Sequence, residues 1–192
     1  MTMELHEAHE RARDVFDRAV TEVTDWSAPT PCTDWTTRDL VNHLVSEQLW
    51  VPHLVTGETT AQVGPRYDGD LLGDDPAAAW RSASDTSRRA WADVPDDHPV
   101  HLSYATVPAR DYRWQMTLDL AIHGWDLASA TNHNPLIGEA LSQALIDEFT
   151  DHITQWADSG IFAPPHPVTP TADPQNRLIA LTGRNPNWHP PR

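Results

Sequence analysis

Apolar residues recur at helical spacing in several segments of this chain, and this periodicity constrains the fold more than any other feature. In residues 5–23, for example, Leu5, Ala12 and Ala19 share one side of a helix while charged residues occupy the other. Residues 36–56, 111–130 and 139–156 also have a helical pattern. Residues 77–92 are predicted to be helical because Asp75 offers a cap, Pro76 suits the first turn and few helix breakers follow. No convincing set of strands accompanies them. The sequence therefore predicts an all-α, up-and-down helical bundle.

The connecting segments lack this periodicity. Residues 58–74 are rich in Gly, Thr and Asp, which is typical of a surface loop that can lie over a site. Residues 100–107 alternate loosely and predict a short strand or ribbon. Residues 163–174 hold five prolines and predict a wrapping segment, followed by a short helix over residues 176–181 and a frayed end.

A length of 192 residues with 39% hydrophobic side chains fits one domain that buries a substantial core. Within it, residues 1–160 are predicted to form the helical bundle. Residues 161–192 are predicted to form a C-terminal tail that belongs to the same domain.

Composition excludes several classes of function. A formal net charge of −15 repels a phosphate backbone, so we expect no nucleic-acid partner. The sequence contains neither an apolar run long enough for a membrane span nor the pattern of a signal peptide, and it has one cysteine, Cys32. These features favour the cytoplasm and argue against a disulfide framework or a cysteine-rich zinc site.

The pairing of acids with histidines is the first indication of a site. For 11 histidines and 28 acids in 192 residues, about 1.6 acid-to-His pairs four residues apart are expected by chance. Four occur, namely Asp39 with His43, Asp97 with His101, Asp119 with His123, and Glu148 with His152. The spacing alone therefore does not identify a site.

Position within the helices separates these pairs. His123 falls in an apolar row with Leu120 and Leu127, and Asp119 lies beside it. His43 falls in a similar row of the second helix. A buried carboxylate needs a cation or hydrogen-bond donors, and a metal with imidazole ligands meets that need. The alternative is that these are core histidines hydrogen-bonded to carboxylates, and His152 is a rival ligand.

Four stretches carry a resemblance to a known family. They are residues 29–44 (PTPCTDWTTRDLVNHL), 73–80 (GDDPAAAW), 119–128 (DLAIHGWDLA) and 176–186 (NRLIALTGRNP). They are similar to the mycothiol-dependent maleylpyruvate isomerase N-terminal family of the DinB-like superfamily, and to its short actinobacterial members. The resemblance implies a DinB-like four-helix bundle with an extra C-terminal helix and a Pro-rich tail.

The resemblance also implies a metal site formed by His43, Asp119 and His123. The divalent ion is expected to be zinc, with nickel, iron or manganese as alternatives. Three protein ligands leave one coordination position open, as in catalytic zinc sites. The implied activity is that of a metal-dependent transferase, in which a mycothiol-type thiol attacks a small electrophile. The alternatives are a non-catalytic protein that binds a metal or small ligand, and a structural or dimer-forming module.

The sequence departs from the family at two points. Asp119 stands where the family's isomerases have Glu, which leaves the metal's identity open. The isomerase has a further C-terminal α/β domain, for which this chain has no room. Isomerase activity on maleylpyruvate is therefore not expected here. A monomer and a homodimer are both compatible with the sequence.

Other residues have weaker functional interpretations. Glu47 is a candidate general base or support for a ligand, and Asp126 is similar, although both are interpreted first as solvent-facing helix acids. Trp50 and Trp125, together with Trp114, are candidate walls of a ligand pocket, with core packing as the alternative. Cys32 is interpreted as a packing residue, with a redox role as the alternative.

Overall fold

Helices dominate the structure, a computed structural model that describes residues 3–134, 136–158, 162–169 and 171–191. Within these residues the helices are α1 (Leu5–Thr21), α2 (Thr37–Val55), α3 (Thr60–Val63), α4 (Pro76–Trp91), α5 (Ala109–Ala130), α6 (Glu139–Asp158) and α7 (Pro174–Leu181). Strands β1 (Pro99–His101) and β2 (Thr106–Pro108) form an antiparallel hairpin in which Val100 pairs with Val107. The predicted all-α class and the predicted ribbon are both confirmed.

Helix α4 has bounds close to the predicted ones, and its first turn is capped. The Asp75 carboxylate accepts a hydrogen bond from the Ala78 amide at 2.9 Å, and Pro76 occupies the first turn. Asp173 caps α7 in the same way, through the Asn176 amide at 2.9 Å. These side chains satisfy amides that have no partner within the helix.

The predicted loop over residues 58–74 is partly wrong, because it contains helix α3 and a 3-10 turn over Gly64–Tyr67. Thr59 and Gln62 form a reciprocal capping box that starts α3. A four-residue helix is too short to show a repeating apolar pattern, so periodicity does not reveal it. The polar part of the segment docks on α2, where the Asn42 side chain bonds the Gly69 carbonyl and the Leu71 amide.

Contacts divide the chain into two compact units, Met1–Thr37 with Leu118–Arg192, and Arg38–Thr117. The second unit has its own apolar core, in which the Trp91 and Tyr112 rings lie 5.5 Å apart. The predicted boundary between residues 160 and 161 lies outside the described residues and stays a prediction. No helix in the described ranges is both long enough and apolar enough to span a membrane.

In the first unit, α1 and α5 approach each other closely at Gly124. A Cβ atom at this position would lie 2.7 Å from Val15 Cγ1 and 3.2 Å from the Phe16 amide nitrogen. Only glycine fits so close to another backbone without displacing it. This contact fixes the position of α5 at the residue that follows His123.

Candidate metal centre

Asp119 and His123 lie one turn apart on α5 and bring two potential metal ligands together. Asp119 Oδ1 lies 3.3 Å from His123 Nε2. The His123 side chain is 8% exposed and that of Asp119 is 29% exposed, so the pair lies at the edge of the interior. The prediction that both side chains face inward is confirmed for His123, whereas Asp119 is half-buried.

The second nitrogen of the His123 ring faces another carboxylate. His123 Nδ1 lies 3.0 Å from Asp126 Oδ2, and Asp126 is 0% exposed. The first interpretation of Asp126 as a solvent-facing acid is therefore wrong. With a spacing of three residues, Asp126 shares the inward face of the helix with His123.

Arg184 supplies the cation that Asp126 requires in the interior. Its Nε and Nη2 groups donate to Asp126 Oδ1 and Oδ2 at 3.3 and 3.0 Å, and its Nη1 donates to the Thr182 carbonyl at 2.9 Å. The guanidinium also lies 5.7 Å from the centre of the Phe162 ring. Arg184 is 9% exposed, so the prediction of a frayed C-terminal end is wrong at this residue.

The end of α7 determines where Arg184 points. Gly183 adopts a φ of +80°, and the amides of Gly183 and Arg184 donate to the carbonyls of Ala180 and Ile179 at 3.1 Å each. This is the Schellman arrangement, which glycine at this position permits. Sequence reasoning missed Arg184, although Gly183, two residues past the end of a short helix, was a usable signal for a defined helix end.

Trp35 and Cys32 complete the surroundings of His123 in this unit. The Trp35 ring stacks on the His123 ring at 5.6 Å with an interplanar angle of 24°. Trp35 is held in place because its carbonyl accepts a hydrogen bond from the Thr30 amide at 3.1 Å. Cys32, His123 and Asp126 each offer a ligand atom, and these atoms lie within 4.8 Å of one another.

Burial and neighbouring charges shift the pKa values of His123, Asp126 and Cys32. Burial opposes protonation of His123, but the charges and hydrogen bonds of Asp119 and Asp126 together raise its pKa to about 9. Burial alone would raise the pKa of Asp126, whereas Arg184 and His123 lower it. Burial, followed by the charge of Asp126, raises the pKa of the Cys32 thiol to about 11.

The geometry of the Asp119 and His123 pair fits a shared divalent ion. Two ligands bound at about 2.0 to 2.2 Å to a tetrahedral ion are separated by about 3.4 Å. The observed separation between Asp119 Oδ1 and His123 Nε2 is 3.3 Å. An imidazole nitrogen and a carboxylate oxygen are both accepted by zinc and by its first-row neighbours.

The other predicted residues have different surroundings. His43 is half-buried on α2 in the second unit, as is Glu47, which follows it by one turn. Trp50, on the same helix, packs against the apolar core of that unit and meets Tyr67 edge to face at 6.2 Å. Trp125 is 2% exposed. No structural feature tests the interpretation of Trp50 and Trp125 as pocket walls, or that of Glu47 as a base.

His152, the rival ligand, is exposed on α6 beside Phe149, at a ring distance of 6.3 Å. Among the described residues it joins no group of three or more His, Cys, Asp or Glu side chains with ligand atoms within 4.8 Å. The structure therefore gives no support to His152 as a metal ligand.

Comparison with known proteins connects this geometry to a family. The family model described as the mycothiol maleylpyruvate isomerase N-terminal domain matches residues 9–128. Two uncharacterized proteins from two strains of Mycobacterium tuberculosis are each 28% identical over 131 residues, which is 66% of this chain and 67% of theirs.

Crystal structures of the mycothiol-dependent maleylpyruvate isomerase and of a mutant of it are similar in fold. Each is 19% identical in sequence, and the similarity covers 83% of this chain and 75% of that chain. The TM-scores are 0.61 and 0.64 for the isomerase and its mutant respectively. The likeness confirms the DinB-like helical fold expected from the sequence.

Proposed function

Since this chain belongs to the mycothiol maleylpyruvate isomerase N-terminal domain family, we propose that it is a metal-dependent transferase for a mycothiol-type thiol. Its ligands for a divalent ion, zinc in our proposal, are His43, Asp119 and His123. The observation that carries the proposal is the 3.3 Å separation between Asp119 Oδ1 and His123 Nε2. His43 comes from the family resemblance of residues 29–44.

Three protein ligands leave one position for a thiol. A divalent ion held by His43, Asp119 and His123 would act as a Lewis acid that lowers the pKa of a thiol, so that the thiol would lose its proton to solvent near neutral pH. The protein itself needs no nucleophilic cysteine. This agrees with Cys32, whose raised pKa of about 11 makes it a poor nucleophile.

The surroundings of His123 suit this chemistry. The Trp35 ring covers one face of the imidazole and, with the buried neighbours of His123, limits access of water. The electrostatic influence of a bound ion is stronger in such a partly dry site than in bulk water. We place the protein in the cytoplasm, where low-molecular-weight thiols remain reduced.

The test combines metal analysis with a thiol assay. Protein purified without an affinity tag is analysed for zinc, nickel, iron and manganese, and the metal-loaded protein is incubated with mycothiol and a panel of small electrophiles. We expect one ion per chain and thiol consumption that stops when a chelator removes the ion. The variants H43A, D119A and H123A should lose both properties.

H152A is the matched control, because it removes an exposed histidine of α6 and should retain metal and activity. Stoichiometric metal without thiol consumption for any electrophile would support the non-catalytic alternative. Absence of stoichiometric metal from the wild-type protein would refute the proposal.

A further inference from the structure

We infer that Asp126 is the positioning residue that presents His123 to the metal, and that Arg184 holds Asp126 in place. This inference rests on the proposed metal site and goes beyond it. It assigns a role to a residue that does not bind the ion, and to a C-terminal residue outside the matched range 9–128.

The two ring nitrogens of His123 face different partners. Nδ1 lies 3.0 Å from Asp126 Oδ2, and Nε2 lies 3.3 Å from Asp119 Oδ1. A carboxylate only accepts hydrogen bonds, so Nδ1–H donates to Asp126 and, in the metal-free protein, Nε2–H faces Asp119. A divalent ion would take the place of the Nε2 proton and leave Nδ1–H on Asp126. Metal-bound histidines commonly donate their second ring N–H to a carboxylate in this way.

Asp126 has little freedom to turn away from His123. It is fully buried, and each of its oxygens accepts a hydrogen bond from Arg184, at 3.3 Å on Oδ1 and 3.0 Å on Oδ2. The planar guanidinium matches the carboxylate at two points, which fixes its plane as well as its charge. The same Oδ2 atom accepts from His123, so the orientation of the imidazole follows that of the guanidinium.

Arg184 is itself held in place by hydrogen bonds to backbone carbonyls. Its Nη1 group donates to the Thr182 carbonyl at 2.9 Å, and its amide closes the end of α7 on the Ile179 carbonyl. The segment after α7 therefore contributes to the surroundings of His123. Arg184 and Asp126 are separated by 58 residues along the chain. A purely structural ion pair that anchors the C-terminal segment is the competing interpretation.

Zinc affinity distinguishes the two interpretations. The dissociation constant is measured by competition with a chromophoric chelator for the wild type, D126N, R184M, D126N/R184M and D111N. We expect D126N to bind zinc about 10- to 100-fold more weakly. R184M should lose less, because Asp126 still accepts from the ring. D111N is the matched control, since Asp111 lies on the same helix with its side chain 47% exposed, and it should not change.

The double variant controls for a loss of zinc affinity that is caused only by misfolding. D126N/R184M removes both charges, so it leaves no unpaired buried ion, yet it should bind zinc as weakly as D126N. A second readout is the tautomer. In the zinc-loaded protein labelled with 15N-histidine, long-range proton-nitrogen correlations should show a protonated Nδ1 and a metal-bound Nε2 in His123.

The outcomes are distinct. Suppose that the wild type binds zinc and that the dissociation constants of D126N and the double variant lie within twofold of the wild-type value. Asp126 then has no positioning role, and the inference fails while the proposed metal site stands. Coordination through Nδ1 of His123 also refutes it. If R184M matches the wild type while D126N is weakened, the role of Arg184 is refuted. If the wild type binds no zinc, the proposed function fails and the inference fails with it.

Discussion

Asp126 and Arg184 carry opposite formal charges into the interior, where they are 0% and 9% exposed. Each would be costly to bury alone, and the two hydrogen bonds between them offset that cost. Arg38 and Asp70 form an ion pair of similar length, 2.8 Å, but with side chains 36% and 57% exposed. At the residue scale the two pairs should therefore differ greatly in what they contribute to stability.

This contrast is testable by urea denaturation of the metal-free protein. R184M leaves a buried carboxylate without its cation and should lower the free energy of unfolding by about 3 to 5 kcal/mol. D126N/R184M should lose less than the sum of the two single variants, because no unpaired charge remains. R38M, at the exposed pair, should have a much smaller effect. Equal losses for R184M and R38M would contradict this account of the buried pair.

The reactivity of Cys32 follows from its surroundings. Burial and the nearby carboxylate of Asp126 disfavour the thiolate and raise the pKa of the thiol to about 11. Alkylation of the metal-free protein by iodoacetamide should therefore be slow at pH 8 and should rise about tenfold per pH unit up to pH 9.5. The urea-unfolded protein should instead level off at the ordinary thiol pKa. A plateau near pH 8.5 in the folded protein would contradict the shift.

At the scale of elements, the contact between α1 and α5 is set by the absence of a side chain at Gly124. The nearest atoms to a built Cβ belong to Val15 and to the backbone of Phe16. A side-chain methyl can yield by a rotamer change, whereas the backbone of a packed helix yields little. Helix α5, which carries His123, is therefore held against α1 by backbone contact as well as by side-chain packing.

G124A tests this contact. The added methyl group should destabilise the protein by about 1 to 3 kcal/mol, as overpacking does in well-packed interiors. V15A removes the atom that would lie 2.7 Å from the new Cβ, so G124A should cost less in the V15A background than in the wild type. Thermal unfolding of the four proteins gives this coupling. Strict additivity of the two changes would show that Val15 does not limit the approach.

Much of the fold was predictable at this scale, because helix ends depend on neighbouring residues. Asp75 with Pro76 marks the start of α4 by local chemistry alone. Arg184 was not predictable, since its partner lies 58 residues away and no local pattern encodes that pairing. The burial of Asp126 was not predictable either, because a helix acid is ordinarily solvent-facing and no local pattern reports the distant guanidinium that makes its burial possible.

At the scale of the whole molecule, a bound metal should stabilise the folded chain. His43 lies far in sequence from Asp119 and His123, and an unfolded chain does not hold the three side chains in one arrangement. Zinc at 100 times its dissociation constant should add about 2.7 kcal/mol to the free energy of unfolding. H123A should lose this increment and H152A should retain it, as measured by thermal unfolding with and without zinc. Equal stabilisation of both variants would indicate non-specific binding.

Anomalous diffraction data from zinc-loaded crystals, collected above and below the zinc edge, will show whether His43, Asp119 and His123 bind one divalent ion. We expect a single strong peak within about 2.0 to 2.2 Å of a His43 ring nitrogen, an Asp119 oxygen and His123 Nε2. A zinc peak bound by other residues, or a zinc-soaked crystal without a peak at these three side chains, would contradict it.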